Sequence, residues 1–307
     1  MLFGPQRLDP VLRPELDRLD VGDHVASITA GWQEREGESS EMSEHLDRRV
    51  TDLALHGRLE KVFAEDRELF SAHRARQDRL RELQALYRYR LDFVLEPARE
   101  LMRREGDPEL LIPERESAID AVRRLDRQHL DRVTETHRRF EDRWSPADRP
   151  AIQRQLGEIE EILGTCDAVM IAGGHVAVLL NRMRLFGLGK VLRRHRLFAW
   201  SAGAMALGTR IALFHDSPPQ GEGNAEILDE GLGLFADVLP LPDARRRLRL
   251  DDPVRLSLLA RRFAPDVCVP LDAGQSVLCT PDGPRPGQDA LRITAGGRVE
   301  PIGEDGV

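Results

Sequence analysis

Apolar positions along this chain fall into short continuous runs and into long stretches at helical spacing. Near the start, His24-Val25-Ala26-Ser27-Ile28-Thr29-Ala30-Gly31 is a short apolar run closed by glycine, the pattern of a buried parallel strand. A polar loop over 32–40 follows, and 50–55 fits a second short strand or, almost equally, a helix. From about 57 to 143 the apolar residues recur at helical spacing: Leu80, Leu83, Tyr87, Leu91, Val94, Ala98 and Leu101. After a break over 106–113 the spacing resumes with Val122, Leu125, His129, Val133 and Phe140. Arg, Asp and Glu fill the intervening positions. The pattern predicts a long antiparallel helical hairpin with one apolar seam, and Pro97 is expected to kink or end its first helix.

Ser145-Pro146-Ala147-Asp148 has the composition of a helix start, with a capping serine, proline at the first position and an acid in the first turn. Ile152, Leu156, Ile159 and Leu163 would give that helix its apolar face. After Asp167, strands and helices alternate. Strands are expected over 167–171, 196–200, 209–214, 267–271 and 276–279, and helices over 176–185, 202–207 and 253–263. This order predicts an α/β fold: a doubly wound, mainly parallel sheet interrupted by the hairpin. Residues 1–56 would hold the first strands, 57–143 the helical insertion, and 144–307 the remainder of the α/β domain.

Charge narrows the function classes. The 53 acidic residues outnumber the 45 basic ones for a net charge of -8, which argues against a nucleic-acid partner. The arginines are interleaved with acids, as on a salt-bridged helical surface. No apolar run approaches the roughly 20 residues that span a bilayer, so no membrane partner is expected. The first residues lack the basic head and apolar stretch of a signal peptide, and three cysteines suggest a reducing compartment; a cytoplasmic location is expected. His45, His56, His73, His129 and His137 are read as helical or loop surface residues without metal-ligand spacing, and no metal is assigned.

The chemistry points to Leu197-Phe198-Ala199-Trp200-Ser201-Ala202-Gly203-Ala204. An apolar strand runs into a serine, and small residues then open a helix. Such a turn holds the serine in a strained conformation that projects its hydroxyl from the C-terminal edge of the sheet. One βα unit earlier, Ile171-Ala172-Gly173-Gly174-His175 ends a strand in paired glycines, which lets backbone approach a ligand closely. Gly173 or Gly174 and the Ala202 N–H are therefore candidate donors to an oxyanion, with Ser201 as nucleophile. His175, beside the glycines, is a further candidate cleft residue.

These motifs, followed by Gly231-Leu232-Gly233-Leu234, resemble the dipeptidase E/cyanophycinase group of serine peptidases. The resemblance covers the first strand and the chain from about 151 onward, with the block 57–143 outside it. It implies a class I glutamine-amidotransferase-like fold in which serine replaces the cysteine nucleophile. It also implies small acidic or isoaspartyl peptide substrates and no metal or organic cofactor.

In one respect the chain departs from the group. A histidine normally follows the Gly-Leu-Gly-Leu string, ahead of an arginine-rich stretch, and Asp243 stands in that place, before Arg245-Arg246-Arg247. Serine needs a base within hydrogen-bond reach. His215 would be the displaced base, with Asp216 or Asp243 orienting it. Asp229 and Asp272 are read as turn or surface acids. Two readings stay open: a serine hydrolase, or a catalytically inactive relative that binds a peptide-like ligand or a protein. Glutamine amidotransfer is disfavoured, because serine stands where that chemistry needs a thiol. The hairpin seam would pack internally or against a second copy, which leaves a homodimer open.

Overall fold

A computed structural model describes residues 1–7, 10–38, 40–215 and 223–303. The chain opens with a two-residue strand, β1 (Leu2–Phe3), followed by α1 (Leu12–Arg18), β2 (His24–Ile28), α2 (Ser40–Leu46) and β3 (Arg49–Asp52). Helix α3 (Leu55–Glu65) leads into the hairpin, α4 (Arg67–Arg103) and α5 (Pro108–Trp144). Next come α6 (Pro150–Leu163), β4 (Ala168–Ile171), α7 (Val176–Leu185), α8 (Leu188–Val191), β5 (Leu197–Trp200) and α9 (Ala202–Leu207). The last third holds β6 (Arg210–Leu213), β7 (Glu226–Glu230), β8 (Val238–Pro242), α10 (Ala244–Arg247), α11 (Pro253–Phe263) and β9 (Val267–Leu271). It ends in β10 (Ser276–Thr280), β11 (Gly283–Pro286), β12 (Leu291–Ile293) and β13 (Val299–Pro301).

The fold is α/β. Seven strands form the main sheet in the order β11-β10-β1-β5-β4-β2-β3. The five from β1 to β3 are parallel, and β10 and β11 extend the edge antiparallel, so the sheet is mixed. Alternation along the strands sends side chains to opposite faces. Val25, Met170, Phe198 and Trp200 join α1 and α2 in one buried cluster. Ala26, Ile28, Val169, Ile171 and Ala199 join α3, α6, α7 and α9 in the other. Helices thus cover both faces, as a parallel sheet requires. A second sheet, β13-β12-β9-β8, contains the parallel pair β8–β9, and β6 pairs with β7.

Several local expectations are corrected. The first strand is Leu2–Phe3, too short to show periodicity, and it lies between β5 and β10. Pro97 neither ends nor interrupts α4, which runs on to Arg103. Pro97 and Phe93 are both exposed, so water can serve the Phe93 carbonyl that the missing N–H leaves unbonded. Ser145 precedes a single 3-10 turn, Pro146–Asp148, with proline first as expected, but its backbone is left-handed and its side chain makes no cap bond; the α-helix α6 starts only at Pro150.

The hairpin packs within the chain, and its seam is not simply apolar. Tyr87, Leu91 and Leu95 share one buried cluster with Ile119, Val122 and Leu125, but polar residues are buried beside them. His73, His129 and His137, expected on surfaces, are 6, 4 and 9 % exposed. His73 Nε2 and Arg76 both meet Asn181 Oδ1, 2.9 Å away in each case, on α7. Gln84 Oε1 lies 3.0 Å from His129 Nε2, and Gln84 Nε2 donates to Glu226 on β7. Tyr87 donates to Asp126 at 2.7 Å, and Arg262 of α11 donates to both Asp126 oxygens. His137 and Arg184 converge on Asp229, which is therefore a half-buried partner in this network and not a surface acid.

Candidate active site

Strand β5 ends at Trp200, and Ser201 takes φ 51, ψ -123 before α9 begins. This is a strained backbone for any residue with a Cβ. Ser201 N donates to Phe3 O on β1, and Met205 N donates to Ser201 O, so the bend is fixed on both sides. Small neighbours make it sterically feasible. A Cβ on Gly173 would stand 2.8 Å from Ser201 Cβ, and one on Gly203 would stand 2.3 Å from the Ile171 carbonyl oxygen. Gly173 thus lies directly against the serine, with its Cβ position 3.4 Å from Ser201 Oγ and 3.6 Å from Ala202 N. Gly174 has φ 107, a conformation glycine alone adopts readily. The structure brings Ser201, Ala202, Gly173 and Gly174 together at the C-terminal ends of adjacent strands, the edge where open α/β sheets gather ligands.

A third strand end contributes. His175 N donates to Gly31 O at 2.9 Å, binding the loop after β2 to the glycine turn. Within that loop, in the turn Ala30–Arg35, Gln33 has φ 59, ψ -121, nearly the same backbone as Ser201. Sequence reasoning assigned the loop but not this residue, and a glutamine carries no signal of backbone strain. Beneath the loop, Glu36 accepts from His56 N and Gly57 N, and Asp52 accepts from Ser27 and Thr29. Burial pushes both carboxyls up from their ordinary values.

His175 is exposed at the start of α7, where its Nδ1 accepts from Val178 N at 3.4 Å; its ring serves as a helix cap. His215 lies two residues beyond β6, its ring stacked on Phe214, and its carbonyl accepts from Gly223 N. Asp216 lies outside the described residues. Asp243 stands at the end of β8 with left-handed φ of 60, and its carboxylate faces Arg246 and Arg247, both at 3.6 Å. Asp272, at the end of the neighbouring strand β9, is buried and accepts from Arg245 N. Burial raises its carboxyl, and the nearby charge of Asp243 adds to that effect. Ser201 Oγ makes no hydrogen bond among the described residues.

The Gly231-Leu232-Gly233-Leu234 string has a structural role. Leu232, Gly233 and Leu234 donate their N–H groups to the carbonyls of Ala206, Gly208 and Leu207. The string therefore satisfies the C-terminal end of the helix that follows the serine.

Among the described residues, no three His, Cys, Asp or Glu side chains gather as a metal site, and no helix is long and apolar enough to cross a membrane. The family model for peptidase family S51, which includes dipeptidase E and cyanophycinase, matches residues 124–249. That span takes in the glycine turn, the serine bend, the Gly-Leu-Gly-Leu string and Asp243, and it bears out the resemblance read from those motifs. It begins inside α5, earlier than the motifs alone indicated. No curated protein matches the chain.

Proposed function

We propose that this chain, similar to peptidase family S51 across its serine turn, is a serine hydrolase of class I glutamine-amidotransferase-like fold acting on small peptide or isopeptide substrates of aspartyl type. The observation that carries the reading is the Ser201 backbone, held at φ 51, ψ -123 against Gly173. Ser201 Oγ attacks the scissile carbonyl. The oxyanion forms beside the Ala202 N–H and the Gly173-Gly174 backbone, where fixed dipoles stabilise developing charge without reorganising. A base must take the hydroxyl proton in the same step. We assign that task to His215, which follows β6, with Asp216 or Asp243 as the acid that orients it. The loop that carries Gln33 is tied to the glycine turn through Gly31 and would contact the substrate.

A second reading is supported by two observations. Ser201 Oγ has no hydrogen-bond partner among the described residues, and Asp243, where the family carries histidine, faces two arginines. Under this reading the protein keeps the cleft, lacks a competent base, and binds a peptide-like ligand or a protein. A fluorophosphonate probe separates the two. A hydrolase is labelled as wild type, is not labelled as Ser201→Ala, and loses labelling rate at least about 100-fold as His215→Ala, the scale of a lost general base. Wild type that resists the probe, together with Asp243→His that reacts, establishes the inactive relative instead.

A further inference from the structure

Among the described residues, β6 and β7 form a sheet of only two strands. Four residue pairs make up its ladder, and the register shifts between Ile211 and Ala212. A two-stranded ribbon of that length is at best marginally stable by itself. His215, the residue assigned as base, lies two positions beyond the last ladder pair, Leu213 and Glu226. There the pairing is prolonged by a bond from Gly223 N to His215 O, at 2.8 Å. The place of His215 therefore depends on what holds the β7 side of the ribbon.

Side chains of α4 and α11 hold it. Ala225 O accepts from Arg262 at 2.6 Å, Ile227 N donates to the Tyr87 hydroxyl at 3.2 Å, and Ile227 O accepts from Gln84 at 3.1 Å. Arg262, Tyr87 and Gln84 are all buried, so a backbone group left without one of them would be costly. Together they take up the outward N–H and C=O groups of alternate residues, as a third strand would. Between those residues, the Glu226 carboxylate accepts from Arg88 and Gln84.

The grip extends one residue further, to Asn224, the neighbour of Gly223. Asn224 Nδ2 donates to Asp92 Oδ1 at 2.6 Å, and its Oδ1 accepts from the Arg99 guanidinium. Asp92 and Arg99 are seven residues apart on α4, close to two turns, so they share one face. The acid takes the donor end of the amide and the cation takes the acceptor end. Only one orientation of the Asn224 side chain satisfies both.

We propose that Asp92 and Arg99 are positioning residues of the active site: through Asn224 they fix Gly223, and with it the place of His215. This rests on the reading of His215 as the general base. It gives the helical hairpin a part in the chemistry, since a base must meet the serine proton within hydrogen-bond reach. A misplacement of about 1 Å can cost on the order of 100-fold in rate.

The test is inactivation of the fully native full chain by a fluorophosphonate, with the saturating rate and the half-saturating concentration measured separately. Asn224→Ala should lower the saturating rate at least about 10-fold, less than His215→Ala does, and leave half-saturation unchanged. In the His215→Ala background, Asn224→Ala should have no further effect, because the grip acts through that ring. Asn224→Asp sets a second carboxylate against Asp92 and should also slow the reaction. Combining it with Asp92→Asn should restore the rate, since donor and acceptor then exchange sides. Hydrogen exchange at the Gly223 amide reads the grip itself: protection should fall in Asn224→Ala and return in the combined variant. Asn224→Ala that reacts as fast as wild type, or that keeps Gly223 protected, overturns the proposal. Equal slowing with and without His215 overturns it too. Wild type that does not react at all is a different result: it overturns the reading of His215 as base, and the positioning role falls with it.

Discussion

At the scale of single residues, the unusual feature of this protein is strain placed at strand ends. Ser201 and Gln33 share nearly one backbone conformation, φ 51, ψ -123 and φ 59, ψ -121, after β5 and β2, on either side of β4. Each such conformation costs on the order of 1–3 kcal/mol for a residue with a Cβ. Glycine removes that cost but loses about 0.5–1 kcal/mol through the greater freedom of the unfolded chain. Ser201→Gly should therefore be more stable than Ser201→Ala by about 1 kcal/mol in urea unfolding, although neither variant can be labelled by a serine probe. Gln33→Gly should show the same sign against Gln33→Ala. A glycine variant less stable than its alanine counterpart at both positions would mean that neither bend is strained. The reverse substitution, Gly203→Ala, places a methyl carbon against the Ile171 carbonyl and should reduce stability and labelling together.

At the scale of elements, the hairpin is held by a polar seam whose titration can be followed. Burial lowers His73 and His129 to about 4, with the cation of Arg76 adding to the effect at His73. Burial also lowers His137, though Asp229 opposes it. A histidine depressed in the folded state binds its proton first in the unfolded state, where it titrates near 6.5. Between about 6.5 and 4 the unfolded chain therefore holds more protons, and stability falls as pH falls through that window. The expected slope is up to about 1.4 kcal/mol per pH unit for each of these two histidines. Calorimetry at pH 5 in buffers of different ionisation enthalpy should show about two protons taken up on unfolding from this source. Uptake near zero would place these rings in water.

The Arg262–Asp126–Tyr87 cluster predicts a steeper effect. Asp126→Ala leaves a fully buried guanidinium without its counter-ion and should cost about 3–5 kcal/mol by chemical denaturation. The hairpin's existence and length were legible in the sequence because Leu, Val and Tyr recur at helical spacing over many turns. Its polar seam was not legible. His129 and Asp126 read as surface residues until Gln84 and Arg262, distant in sequence, are seen to face them.

At the scale of the whole molecule, β1 joins parts that the sequence pattern kept separate. Its two residues lie between the parallel strand β5 and the antiparallel strand β10, so the main sheet is continuous only through them. Gly4, which follows, donates to Gln275 O and packs on the Asp272 carbonyl beside the second sheet. Phe3 O also accepts from Ser201 N, so the same strand fixes the serine bend. The βα alternation after Asp167 and the Ser-Ala-Gly-Ala turn could be read directly, because each is a local signal of strand, bend and helix. Strand β1 could not, since two residues have no period, and β7 could not, since Glu226-Ile227-Leu228-Asp229-Glu230 reads as a polar loop until its partners are known. Phe3→Ala tests whether this joining matters. Phe3 is fully buried and stacks on Phe198 with centroids 6.4 Å apart, so its truncation should cost about 3–5 kcal/mol. If β1 also holds the serine in place, the folded Phe3→Ala protein should react more slowly with a serine probe than wild type under conditions where both are fully native. A comparable cavity away from the edge, made by Leu59→Ala in α3, should lower stability without slowing the probe. Equal labelling rates in the two variants would show that the bend keeps its shape without help from the strand beside it.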